Sequence, residues 1–188
     1  MELIAEIERT SGAKKVGRTV LREAVRAIIL EGHRLLMVYS PVNGDYKFPG
    51  GGIEPGESHE QALAREVQEE CGAALAGIQK ALGQVHEYDF AQEPEFEIFH
   101  MISSYFVCQV QAGQAELRLD DYEAELAFQP AWVDIDEAVQ TNRRVLSQSQ
   151  AVPLWTRRDT LVLEYIRETL IPRPLLPRAG EGEGRDLS

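Results

Sequence analysis

Apolar residues fall into short runs broken by turn-forming residues, and this rhythm predicts strands first. Residues 25–30 and 35–39 are two such runs on either side of Glu31-Gly32-His33, the pattern of a β-hairpin. Pro41-Val42-Asn43-Gly44-Asp45 is a second turn signal, followed by the short aromatic segment Tyr46-Lys47-Phe48. Pro49-Gly50-Gly51-Gly52 then excludes both helix and the interior of a regular strand. At Ser58 the period changes to that of a helix. Ser58 and Gln61 stand at capping-box spacing, Glu57 and Glu60 suit the positive end of the helix dipole, and Gly72 is the expected stop. Strand-like runs return at 84–90, 96–110 and 126–133, and a short helix is expected at 134–139. A last amphipathic helix is expected at 157–170, with Leu161, Tyr165 and Ile166 on its packed face. Many strands with few helices predict an α+β chain, a mixed β-sheet covered by helices.

Composition narrows the setting. The 188 residues fit one ordinary domain, here 19–170, with an N-terminal extension at 1–18. Residues 171–188, with three prolines and Gly180-Glu181-Gly182-Glu183-Gly184, have too little apolar content to fold and are read as a flexible tail. The net charge of −12 argues against a nucleic-acid-backbone binder, which works through basic patches. Two cysteines, Cys71 and Cys108, are too few for a disulfide framework or a multi-cysteine zinc site. No apolar run is long enough to span a membrane and no signal-peptide pattern opens the chain, so a cytoplasmic location without a membrane partner is the expectation.

The chemistry concentrates after the glycines. On a helix, Glu66, Glu69 and Glu70 stand at i, i+3 and i+4, which gathers three carboxylates on one face, while Leu63, Val67 and Cys71 fall on an adjoining face that would bury. Like charges at that spacing cost roughly 0.2–0.5 kcal/mol per pair on a solvated surface, a frustration that divalent cations remove. Oxygen donors without histidine or cysteine favour a hard ion, Mg²⁺ or Mn²⁺, and such an ion would bridge an acidic protein to an acidic phosphate ligand. The glycine-rich loop ahead of the helix lets such a ligand approach the backbone. A glutamate cluster alone is most often a solvated face, and a glycine triplet most often a turn; the joint spacing carries the signal.

That joint pattern, G-x5-E-x7-R-E-U-x-E-E-x-G-U with U a bulky aliphatic, resembles the signature of the Nudix hydrolases (MutT-like). Gly51, Glu57, Arg65, Glu66, Val67, Glu69, Glu70 and Gly72 stand at its required places, and Ala73 departs from it at the last, packing position. Tyr46 to Gly52 resembles the strand and loop that lead into this segment, and Trp132 to Ala138 the strand-then-helix ending common in the family. The resemblance implies an α/β/α sandwich and a metal-dependent pyrophosphohydrolase that cleaves a phosphoanhydride in a nucleoside diphosphate linked to another group. It implies a candidate catalytic set of Glu66, Glu69, Glu70 and Arg65, with Arg65 pairing Glu57 or Glu69 so that the carboxylates point inward. Glu66, Glu69, Glu70 and Gly51 become candidate metal ligands, with Mg²⁺ as cofactor and Mn²⁺ as its substitute. Family members often add a loop carboxylate; Glu93, Glu95, Glu97, Glu123 and Glu125 qualify, with Glu123 or Glu125 preferred.

Arg26, Lys47, Gly51 and Gly52 are the candidate substrate-binding residues. Arg18, Arg22 and Arg26 form a basic cluster, and a regular strand puts Arg22 and Arg26 on one face. His86 and His100 lie in strand-like runs and are read as structural. Tyr88 occupies the region where ADP-ribose-hydrolysing members often place a proline. The expected partner is a small-molecule nucleotide, with a homodimer left open. The alternative is a nucleotide-sensing module of the same fold that does not cleave its ligand. An RNA-end hydrolase is disfavoured by the net charge and the lack of a basic stripe.

Overall fold

The computed structural model describes residues 1–111, 119, 125–148 and 152–171. Among the described residues lie seven strands, β1 (Leu3–Glu8), β2 (Thr19–Glu31), β3 (Arg34–Ser40), β4 (Asp45–Lys47), β5 (Ala74–Phe90), β6 (Ile98–Gln111) and β7 (Gln129–Asp134). The same residues include three helices, α1 (His59–Cys71), α2 (Ile135–Gln148) and α3 (Leu154–Thr169). The sheet runs β1-β5-β6-β2-β3-β4, with β7 paired to β3. β1 lies parallel to β5 and β2 parallel to β6, while the remaining pairs are antiparallel, so the sheet is mixed as expected.

Strand alternation sorts the core into two layers. Val25, Ala27 and Ile29 of β2 face α1, where Ala62, Leu63 and Val67 pack with Phe106 and Cys108. Ile28, with Val85, Tyr105 and Val107, faces the other way onto Val139 of α2 and Val162, Leu163 and Ile166 of α3. The result is the expected α/β/α sandwich. Leu63 and Val67 are fully buried, a contribution of about 1.5–3 kcal/mol each to the seating of α1. No helix among the described residues is long and apolar enough to cross a membrane.

Several boundaries differ from the sequence reading, each for a physical reason. β5 starts at Ala74 rather than 84, because register shifts near Gly77 and Gly83 absorb the residues that break its alternation. The helix expected at 134–139 runs on to Gln148, since buried Asn142 accepts from the Tyr46 amide and donates to the Tyr46 carbonyl, anchoring the helix beside β4. α3 begins at Leu154, directly after Pro153, a residue suited to a helix start. The segment set apart as an N-terminal extension contributes β1 to the sheet. Of the expected tail only Ile171 lies within the described residues, and it is buried.

Candidate active site

Glycines 50 to 52 form an extended segment hydrogen-bonded along the edge of β2. The Val25 amide donates to the Gly51 carbonyl at 3.0 Å, the Ala27 amide to the Pro49 carbonyl at 2.8 Å, and the Ile53 amide to the Glu23 carbonyl at 3.1 Å. A Cβ on Gly50 would come within 2.1 Å of the Val25 carbonyl oxygen, and one on Gly51 within 2.3 Å of a Glu66 carboxylate oxygen. Side chains are thus excluded on one side by the sheet and on the other by the acidic helix.

α1 supplies that acidic face. Ser58 and Gln61 form the reciprocal capping box, and Gly72 in the left-handed conformation closes the helix. Arg65 ties the face to the loop: it grips Glu57 through two bonds of 2.9 Å, reaches Glu66 at 2.7 Å and Glu69 at 3.3 Å, and donates to the Gly52 carbonyl at 3.0 Å. The expected pairing of Arg65 with Glu57 or Glu69 therefore involves both, and Glu66 as well. This contact holds the Glu57 carboxyl down at about 2, well below the ordinary carboxylate range. Burial pushes the Glu66 carboxyl upward, opposed by the Arg65 hydrogen bond and by the charges of Arg65, Arg26 and Lys47.

Glu70 is almost wholly buried. Its carboxylate accepts from the Gly50 amide at 2.8 Å and from the Lys47 ammonium, which also lies 4.6 Å from the centre of the Phe128 ring. Lys47, expected to face a substrate phosphate, is thus itself buried and engaged with Glu70. Arg26 differs. It is 7% exposed, its Nε has no hydrogen-bond partner among the described residues, and none of their ion pairs includes its guanidinium.

The three carboxylates share a helix face, yet no three histidine, cysteine or acidic side chains among the described residues are grouped so as to hold a metal ion. Arg65 and Lys47 stand between and beside them, as internal counter-ions. The donor set is all oxygen, and the desolvated Glu66 gains from any added cation, so these residues fit a hard divalent ion. Gly51 can offer its carbonyl only alongside the bond from Val25. Among the loop carboxylates, Glu123 lies outside the described residues, Glu125 is exposed, and Glu97 is taken up by Lys14 and the Arg18 amide.

Beside the glycine loop opens a cleft of about 780 Å³, lined by Arg22, Glu23, Gly52, Glu57, Phe99 and Met101 among others. Arg22 and Phe99 also line a second hollow of about 270 Å³ that reaches Arg9, Asp89 and Leu154. Sequence reasoning missed the polar network near this floor. Glu87 is held by Arg9 at 3.0 Å and by Arg158 at 3.2 Å; Asp159 accepts from Arg158, the Tyr105 hydroxyl and the Phe48 amide. Buried charges at Arg158-Asp159 inside an amphipathic helix were the available signal.

A family profile described as the NUDIX domain matches residues 20–154. The ADP-ribose pyrophosphatase of Methanocaldococcus jannaschii is 32% identical over 54% of this chain and 59% of its own length, so the match spans less than two thirds of that relative. A NUDIX hydrolase from Nitrosomonas europaea superposes with a TM-score of 0.52 at 25% identity, covering 84% of this chain and 97% of the other. The MutT NUDIX hydrolase of Burkholderia pseudomallei superposes with a TM-score of 0.51 at 22% identity, over 77% and 98%, a likeness of fold. The glycine segment bonded to β2, the capped helix with its arginine-bound glutamates and the matched profile agree: this chain belongs to the NUDIX domain family.

Proposed function

We propose that this chain is a divalent-metal-dependent pyrophosphohydrolase, cleaving a phosphoanhydride bond in a nucleoside diphosphate linked to a further group. The observation that carries the reading is Arg26, a buried guanidinium whose Nε has no hydrogen-bond partner and which makes no ion-pair contact among the described residues, near the acidic helix face in a protein of net charge −12. A buried donor left without a partner is costly, and a phosphate removes that cost.

In this reading Glu66, Glu69 and Glu70 hold Mg²⁺ or Mn²⁺, which neutralises phosphate charge and lowers the pKa of water when bound. Arg65 acts as a positioning residue, since its bonds to Glu57 and Gly52 fix loop and helix together. Lys47 holds the buried Glu70 carboxylate in place through their ion pair. Arg26 receives phosphate oxygens, and the extended Gly50–Gly52 backbone lets the anhydride lie close. Glu66 or Glu70 takes the proton from the attacking water. The cleft by Arg22 and Phe99 accepts the nucleoside.

The test is a nucleotide panel, ADP-ribose included because one relative carries that name, incubated with Mg²⁺ or Mn²⁺ and read by product mass. Turnover of at least one member is expected, with loss in Glu69→Gln and Glu70→Gln while circular dichroism stays unchanged. Equal turnover in both variants overturns the residue roles. Thermal stabilisation by a nucleotide with no product formed identifies a non-cleaving sensor instead.

A further inference from the structure

The larger cleft and the smaller hollow share two lining residues, Arg22 and Phe99, so the Phe99 ring stands as a wall between them. Arg9 lies against one face of that wall, its guanidinium carbon 5.0 Å from the ring centre. Arg9 lines the smaller hollow and not the larger cleft, which leaves the other face of the ring to the cleft. Strand register explains the meeting. Ile7 pairs with Glu87, Glu87 with Met101 and Asp89 with Phe99, so Arg9, two residues beyond Ile7, projects from the same sheet face as Glu87, Met101 and Phe99. There Arg9 Nε donates to Glu87 at 3.0 Å and Nη2 lies 3.1 Å from the Met101 sulfur, while the Arg9 amide donates to the Tyr88 carbonyl at 2.9 Å. Only 10% of the Arg9 side chain is exposed.

We propose that Arg9 is a positioning residue for nucleobase recognition: it fixes the Phe99 ring so that the face turned to the larger cleft stacks on the base of the substrate. The inference rests on the reading of that cleft as the nucleoside site. Arg9 is not itself a phosphate ligand, because its charge is already matched. Glu87 is bound by both Arg9 and Arg158, and Arg158 also pairs with Asp159, so two arginines meet two carboxylates. What remains to the guanidinium is its flat face, which the ring quadrupole of Phe99 attracts. A ring held on one side gives up little freedom when a base settles on the other, whereas a loose ring has to be ordered at binding. Every base offers a π-face, so the wall recognises the base as a class. Arg9 precedes residues 20–154, the span of the family profile, so the contact is contributed from outside the matched domain.

The experiment is calorimetric titration of the full chain with adenosine monophosphate and, separately, with ribose 5-phosphate, which lacks the base. The wild type is expected to bind the nucleotide more tightly. Phe99→Leu should weaken nucleotide binding about tenfold, and Arg9→Met by about three- to tenfold, with ribose 5-phosphate unaffected in both. Adding Arg9→Met to Phe99→Leu should change nothing further, since Arg9 acts through the ring. Arg9→Met leaves Glu87 its bond from Arg158, so the buried carboxylate keeps a cation. Should it still fail to fold, Arg9→Lys decides by the same contrast, because lysine supplies a charge but no flat face. Unchanged nucleotide affinity in the Arg9 variant, equal weakening of both ligands, additive loss in the double variant, or no preference for the nucleotide in the wild type overturns the proposal. Hydrolysis is not read in this experiment. A chain that shows the expected binding yet cleaves no nucleotide keeps this inference and loses the proposed reaction, and a chain that cleaves without the Arg9 contrast does the reverse.

Discussion

The two neighbouring glycines of the loop are constrained by different objects, and their variants should fail differently. At Gly50 a new Cβ meets the Val25 backbone, which cannot move without breaking the sheet, and φ of 136° is already unfavourable for any other residue. Gly50→Ala should therefore cost about 2–3 kcal/mol in urea unfolding. At Gly51 the obstacle is the end of the Glu66 side chain, which can swing away. Gly51→Ala should keep the fold and lower turnover on the order of a hundredfold by displacing a carboxylate. A second residue-scale expectation concerns acid. Arg65 holds the Glu57 carboxyl down at about 2 against an ordinary 4.5, so the pair stabilises the fold fully above 4.5 and the contribution fades as pH falls toward 2. Glu57→Gln should flatten the acid limb of a stability curve measured by denaturant unfolding, and leave the neutral-to-alkaline limb parallel. These residues were legible in the sequence because a helix repeat and a fixed loop spacing are local. Lys47 was not, because only the fold turns it onto Glu70, across 23 positions in the chain.

Between elements, the Lys47–Glu70 pair joins β4 to α1 with both side chains nearly dry. Lys47→Met leaves a buried carboxylate without that cation and should cost about 3–5 kcal/mol in urea unfolding, whereas Lys47→Met with Glu70→Gln should recover part of it. A loss of under 1 kcal/mol in the single variant would show that water or another cation reaches Glu70. The elements themselves were legible in proportion to how local their signals are. α1 was bounded by its capping box and by Gly72, and its range was read almost to the residue. β1 was passed over, because six residues of Leu-Ile-Ala-Glu-Ile-Glu become a strand only by pairing with β5 some eighty positions away. The reach of α2 to Gln148 depends on Asn142 finding the Tyr46 backbone, a contact that no helical period announces.

At the scale of the molecule, net −12 means that self-repulsion works against the fold, and the acidic helix face adds to it locally. If Mg²⁺ binds there as the proposed function requires, it stabilises the native chain by mass action, so the melting temperature should rise with Mg²⁺ and saturate, with a markedly smaller rise in Glu69→Gln. An identical shift in both, measured by scanning calorimetry, would place the ion elsewhere. A mixed sheet covered by helices was foreseeable from the run of strands and helices, and the sandwich from the family resemblance, but the sheet order was not, since β2 joins β6, a strand nearly eighty residues further on. One consequence follows from the loop at 49–53 being sewn to the edge of β2 rather than left hanging. Under the proposed function an anhydride would arrive at a bench already built: little order would have to be gained at that step, free and loaded forms should superpose there, and amide protons of Val25, Ala27 and Ile53 should exchange as slowly as those deep in the sheet.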